Sequence, residues 1–151
     1  MQLPDVGIPW IKAKLDTGAQ SSALHAYDTR VFVRDGTEWV RFRVRPWQES
    51  TEDEVVMECP VHDRRRVRSS SGHVQERFVV LMTVLLVGRE VVAEVTLTNR
   101  DQMGFRMLIG RQALKQGFDV TSARSYLGGR APKHTRRRNR GKDAAGPVLA
   151  E

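Results

Sequence analysis

The chain has 151 residues and a mass of 17.2 kDa, the size of one domain, and its 40% hydrophobic residues are enough to bury a core. No apolar stretch approaches the roughly 20 residues of a membrane-spanning helix, and Met1 to Asp5 lacks the charged and apolar regions of a signal peptide, so a soluble cytoplasmic protein is expected. A single cysteine, Cys59, excludes an intramolecular disulfide and a multi-thiolate metal cage, and the net charge of +7 is concentrated at one end: Lys and Arg outnumber Asp and Glu by 18 to 16 in residues 1–129 and by 7 to 2 in residues 130–151.

Period-two patterns recur along the body and helix-period patterns are scarce, which predicts a mostly β domain over residues 1–129. Ile11, Ala13 and Leu15 alternate with Lys12 and Lys14 as in a half-buried strand, which then enters a small-residue loop. Val40, Phe42 and Val44 alternate with Arg41, Arg43 and Arg45, giving one core face and one cationic ladder that can equally be a solvated outer face. Glu54 to Cys59 is a further strand. Asp63 to Gly72, charged and then rich in Ser and Gly, reads as a hairpin tip or loop. Gln75 to Val87 and Glu90 to Thr98 are β-branched and apolar and join at Gly88-Arg89, the pattern of a long hairpin. Met107-Leu108-Ile109 is a short buried strand, Arg111 to Gln116 a short helix stopped by Gly117, and Phe118 to Val120 and Ser125 to Leu127 are candidate last strands. The run Arg136-Arg137-Arg138-Asn139-Arg140, set among Pro, Gly and Ala with no aromatic residue after Tyr126, cannot bury enough apolar surface to order itself, so residues 130–151 are expected to be a disordered basic tail.

Two segments nearly a hundred residues apart carry the chemistry. One is Leu15-Asp16-Thr17-Gly18-Ala19 at the end of the first strand; the other is Met107-Leu108-Ile109-Gly110-Arg111, an apolar strand running through glycine into a helix. The pair resembles the retropepsin-like aspartic peptidases, in which these segments form the active-site loop and the strand crossing beneath it. With Ser21-Ser22-Ala23-Leu24-His25-Ala26, Leu97-Thr98-Asn99-Arg100 and Met103-Gly104-Phe105-Arg106 added, the chain from about Leu3 to Gly128 is similar to the bacterial RimB-type family. The resemblance implies an all-β, retropepsin-like closed β-barrel with one short C-terminal helix. That family has also been labelled an ATP-dependent zinc protease, but the sequence has neither a Gly-x-x-x-x-Gly-Lys-Ser/Thr phosphate loop nor a His-Glu-x-x-His helix. His25, His62, His73 and His134 are scattered, and no cofactor or metal is expected.

Hydrolysis by an aspartic peptidase needs two carboxylates sharing a proton, one to take a proton from the attacking water and one to polarise the carbonyl. Like charges a few ångströms apart cannot both ionise cheaply, so such a pair titrates as a unit. One Asp-Thr-Gly in a chain of this length implies a homodimer with Asp16 of each copy meeting on the two-fold axis. By the resemblance, Thr17 hydrogen-bonds across that axis, Gly18 permits close backbone approach before Ala19, and Gly110 and Arg111 tie the helix to the loop. Retroviral members place an acidic residue after the Asp-Thr-Gly-Ala; Gln20 stands here, so the ion pair with Arg111 is missing, although an amide can still accept a hydrogen bond.

The remaining candidates are looser. Ser22 and His25 are candidate substrate contacts, and His25 fits a satisfied structural histidine equally well. Asn99 and Arg100 suit either bracing a loop or binding a carboxylate. By the resemblance, Arg68-Ser69-Ser70-Ser71-Gly72-His73 is the candidate flap, although a plain surface loop fits it equally; as a flap it would set Arg64, Arg65, Arg66 and Arg68 beside the cleft and favour acidic peptides. The family's association with RimK-type glutamate ligases then implies trimming of glutamate-rich tails of a ribosomal protein; a non-catalytic barrel that regulates such a ligase or ribosomal partner is the alternative. The basic tail adds a weaker expectation, salt-sensitive nucleic-acid binding. Only about ten residues precede the first strand, where the family carries a further one.

Overall fold

The computed structural model describes residues 1–47, 53–68, 72–99 and 105–139. Nine strands are present among them: β1 (Ala13–Leu15), β2 (Ser22–His25), β3 (Tyr27–Arg34), β4 (Thr37–Val44), β5 (Val55–Pro60), β6 (Asp63–Arg68), β7 (Val74–Leu86), β8 (Arg89–Thr98) and β9 (Met107–Ile109). Two short helices follow, α1 (Arg111–Leu114) and α2 (Lys133–Arg138). The expected mostly β architecture is present.

The strands form two sheets. Six of them run in the order β1-β9-β2-β8-β7-β6, and β3-β4-β5 make a separate antiparallel sheet. The closed barrel expected from the resemblance is not what the hydrogen bonds describe: among the described residues both sheets are open, with β1 and β6 at the edges of the larger one and β3 and β5 at those of the smaller. What joins the sheets is a shared core. Val40, Phe42 and Val44 of β4 and Met57 and Cys59 of β5 pack in one cluster with Val80, Met82 and Val84 of β7 and Val91, Ala93, Val95 and Leu97 of β8. Each fully buried Val, Leu or Phe side chain contributes about 1.5–3 kcal/mol of transfer free energy, so this seam is the main source of stability.

The β7–β8 hairpin forms where the alternation predicts it, from Val79↔Thr96 to Leu86↔Arg89, and its two-residue turn places Val87 and Gly88 at φ 51° and 75°. The chain's start hooks onto this hairpin: Gln2 bridges Leu85, a 3-10 turn at Pro4–Val6 ends at Gly7, and Leu3, Ile8 and Ile11 enter the core.

Four expectations are corrected. Asp63–Arg68 is a strand, because each of its residues pairs with β7 from Asp63↔Val79 to Arg68↔Val74. Phe118 to Val120 does not form a strand; the Phe118 N–H donates to Leu114 O at 3.0 Å and so extends the end of α1. Ser125 to Leu127 is broken by a turn in which Tyr126 sits at φ 58° and accepts from Gly129 N. Within the segment expected to be disordered, Lys133–Arg138 is helical, so there is a second helix beyond the one expected; Arg138 Nη2 reaches Asp53 at 2.7 and 2.9 Å, and Asn139 Nδ2 donates to the same carboxylate at 3.2 Å. Residues 140–151 lie outside the described residues.

Candidate active site

The Asp16 loop is built by a crossing of three short strands. β1 lies parallel to β9, with Ala13↔Met107 and Leu15↔Ile109 as partners, and β9 lies antiparallel to β2 through Ala23↔Leu108. The chain therefore leaves β1, turns through residues 16–21, and returns on the far side of β9. Four backbone bonds hold that turn. Asp16 N donates to Ile109 O at 2.8 Å, Ala19 N to Asp16 O at 3.3 Å, Arg111 N to Ala19 O at 2.8 Å and Gln112 N to Gln20 O at 2.9 Å.

Gly110 is where the loop and α1 meet, and its lack of a side chain is required by contact. A Cβ there would stand 2.4 Å from Ser21 O and 2.9 Å from Ala19 O. Gly110 N donates to the buried Ser22 hydroxyl at 3.1 Å. The Arg111 guanidinium closes the brace from outside: Nη1 reaches Thr17 O at 3.2 Å and Gly18 O at 3.4 Å, and Nη2 donates to Gln20 Oε1 at 3.1 Å. Gln20 thus accepts where an ion pair is lacking.

Inside this frame Asp16 is half-buried and accepts from Gly18 N at 2.9 Å, with Thr17 and Gly18 exposed beside it. A second oxygen of that carboxyl group is left for other partners. The arrangement presents one acid, oriented by a backbone donor, at an exposed loop; one acid alone cannot divide the roles of base and proton donor.

The other sequence-derived candidates separate. Ser22 is beside the loop, but its hydroxyl is used by Gly110 and is 1% exposed. His25 is four residues along β2, at the opposite end of the crossing; it is buried, its N–H donates to Arg106 O at 2.8 Å, and its ring stacks on Tyr27 at 6.2 Å. Asn99 follows Thr98, the partner of His25, and is exposed at that same far end. Arg100 lies outside the described residues, as do Ser69, Ser70 and Ser71 of the candidate flap, whose arms are β6 and β7.

Two features escaped sequence reasoning. Arg65 of β6 links the hairpin to the loop, with Nη1 to Ser21 Oγ at 3.0 Å, Nη2 to Glu94 at 3.1 Å and Nε to Asp63 at 3.1 Å. Arg64 is likewise engaged, with Glu38 at 2.9 Å and Glu76 at 3.1 Å, so two of the four arginines expected beside the cleft are paired with carboxylates. Second, the Gln112 and Gln116 side chains stand in for a strand on the part of β8 that β2 does not reach: Gln112 Oε1 accepts from Glu94 N at 3.0 Å, and Gln116 Nε2 donates to Val92 O at 2.8 Å. Nothing in the linear sequence signals either contact.

Elsewhere, a cleft of about 380 Å³ is lined by residues such as Trp10, Trp47, Asp53 and Arg138, and Asp16 is not among its walls. Burial pushes the Cys59 thiol up to about 11, which leaves no thiolate for neutral-pH nucleophilic chemistry. Among the described residues no three His, Cys, Asp or Glu side chains gather as a metal-binding group, and no helix is long and apolar enough to cross a membrane.

Known proteins share this frame. A protein of unknown function from Legionella pneumophila, solved by crystallography, superposes with a TM-score of 0.71 at 26% identity, covering 84% of this chain and 91% of that one. Proteins named "Probable alpha-L-glutamate ligase" from Shewanella halifaxensis and Shewanella pealeana are each 42% identical over 123 residues, 82% of this chain and 27% of theirs. One from Desulfotalea psychrophila is 42% identical over 120 residues, 80% of this chain and 26% of its own length. The chain thus spans about a quarter of the curated relatives it matches. The model of the RimB-like family, described as retropepsin-like aspartic endopeptidase RimB, matches residues 1–131. That span holds both the Asp16 loop and the β9–α1 brace beneath it, and the chain belongs to the RimB-like family.

Proposed function

We propose that the protein is an aspartic-type peptidase of the cytoplasm, active as a homodimer in which Asp16 of each copy supplies one of two carboxyl groups. The observation that carries this reading is the loop itself: a half-buried carboxyl oriented by Gly18 N, flanked by exposed Thr17 and Gly18, on a turn fixed by Gly110 and Arg111. Such rigidity is what a reaction needing two groups in register requires. In the paired site the ionised Asp16 takes a proton from water as it attacks the peptide carbonyl, and the protonated partner donates to the carbonyl oxygen. Thr17 of each copy would lock the two loops together. The naming of longer relatives as glutamate ligases supports a substrate carrying added glutamates, such as a modified ribosomal protein.

The test is cleavage of glutamate-extended peptides between pH 4 and 8. Asp16→Asn is expected to lower kcat/KM by at least about a thousandfold, on the scale of losing an essential acid-base group. Equal turnover by the two proteins rejects the assignment.

A second reading is a non-catalytic module that regulates a RimK-type ligase, favoured by the match of this chain to only 27% of a longer relative that bears the ligase name. Sedimentation separates the two: a strict monomer at high concentration has no second Asp16 and supports regulation.

A further inference from the structure

Among the described residues, β3 is exposed or half-buried at every position. Among those residues it lies at the edge of the small sheet, pairs only with β4, and makes no extensive contact with any other element. Its hairpin with β4 turns through Asp35 and Gly36 at φ 51° and 74°, a two-residue loop, so Arg34↔Thr37 is the hydrogen-bonded pair that closes it. Antiparallel pairs alternate between bonded and non-bonded. Counting back, Phe32 and Arg30 also bond to β4, whereas the backbone N–H and C=O groups of Val33 and Val31 point to the open edge. Those two valines are 71% and 42% exposed.

The opposite face of the same edge is cationic. Arg30, Phe32 and Arg34 alternate with the valines, and Arg41 and Trp39 of β4 lie directly across from Arg30 and Phe32. Arg34 is stacked over Phe32 and Trp39, 5.2 and 4.6 Å from the ring centres, and paired with Glu58 at 2.7 Å. Asp28 serves both Arg30 at 3.4 Å and Arg43 at 3.2 Å. Arg41 stands between Arg30 of β3 and Glu58 of β5, whose carboxylate is taken by Arg34, and makes no ion pair among the described residues; with Asp28, Arg30 and Arg43 it lines a groove of about 180 Å³. The strip thus carries more cations than its own carboxylates neutralise.

An open edge, exposed valines at the outward-bonding positions and arginines at the alternate ones together point to the occupant. The geometry points to β3 as a docking strip for an extended acidic segment of a partner protein, added as a further strand. Its backbone bonds to Val31 and Val33, its acidic side chains fall opposite Arg30, Phe32 and Arg34 within reach of Arg30, Arg34 and Arg41, and its intervening aliphatic side chains cover the two valines. A second copy of this chain fits poorly, because pairing β3 with itself sets arginines against arginines. The strip does not involve Asp16 and is independent of the peptidase reading.

The experiment uses the full chain carrying Asp16→Asn, so that hydrolysis plays no part. A short fluorescein-labelled peptide alternating Glu and Val, the matching Lys and Val peptide, and a single-stranded oligonucleotide are titrated by fluorescence anisotropy. The Glu peptide alone is expected to bind, with affinity falling as salt rises. Arg30→Glu with Arg41→Glu should weaken it by about tenfold or more, Val33→Pro by a similar factor through loss of an outward N–H, and Lys115→Glu, just after α1, not at all. Should Val33→Pro fail to fold, the charge reversal at two exposed side chains decides. No binding, or binding indifferent to both variants, overturns the proposal. So does preferential capture of the oligonucleotide, or self-association that Val33→Pro abolishes.

Discussion

The crossing around Asp16 and the three-stranded sheet hold their shapes by different forces. At the crossing the constraints are backbone groups: Asp16 N on Ile109 O, Arg111 N on Ala19 O, and a glycine with no room for one methyl group. In the small sheet the outer face is held by side-chain charges, with Arg43 at 2.9 Å and Arg45 at 2.8 Å from Glu54 and the Tyr27 hydroxyl donating to the same carboxylate. Backbone contacts fail all at once when geometry is violated, while exposed charge networks give way gradually with pH and salt. The first kind suits a site that must not move, the second a surface that meets partners.

That contrast is easiest to break at Gly110. Gly110→Ala puts a Cβ into the Ser21 carbonyl and is expected to cost about 3 kcal/mol or more, read by urea unfolding; a loss below about 1 kcal/mol would mean that the loop yields. Next, Ser22→Ala removes the acceptor of a buried Gly110 N–H and should cost about 1–2 kcal/mol. In the small sheet, the Tyr27 hydroxyl and then Arg45 and Arg43 hold the Glu54 carboxyl down at about 2. Its folded value is depressed, so the stabilisation is full above the ordinary 4.5 and is lost as the pH falls toward 2. Glu54→Gln should therefore flatten stability between those values, by on the order of 1 kcal/mol after solvent screening, with little change in pH dependence above them. The smallest effect is expected at Arg138→Ala. Its pair with Asp53, exposed on both sides, is worth under about 1 kcal/mol, so global stability should hold while amide exchange in α2 quickens.

Where side chains alternate between core and solvent, the sequence announces the strand: β4 and the β7–β8 hairpin lie within a residue or two of their expected bounds. β2 is buried at every position and has no alternation to read. β6, four of whose six residues are arginine, is a strand because β7 offers it an edge, which a local pattern cannot reveal. The Asp16 loop and its distant brace are legible as motifs, since an Asp-Thr-Gly-Ala after one apolar strand combined with a Gly-Arg step after another is far more specific than either alone. The far placement of His25, and the engagement of Arg64 and Arg65 by carboxylates from other strands, depend on register and are not.

Among the described residues β1 has a single neighbour in its sheet, and that neighbour is β9. During synthesis the ribosome releases residues 13–15 long before residues 107–109, so the first strand made waits for the last before it can settle. Until then Asp16 has only its local bonds from Gly18 and Ala19. The Asp16 loop therefore reaches its braced form only after β9 and α1 have been made, a delay written into the strand order.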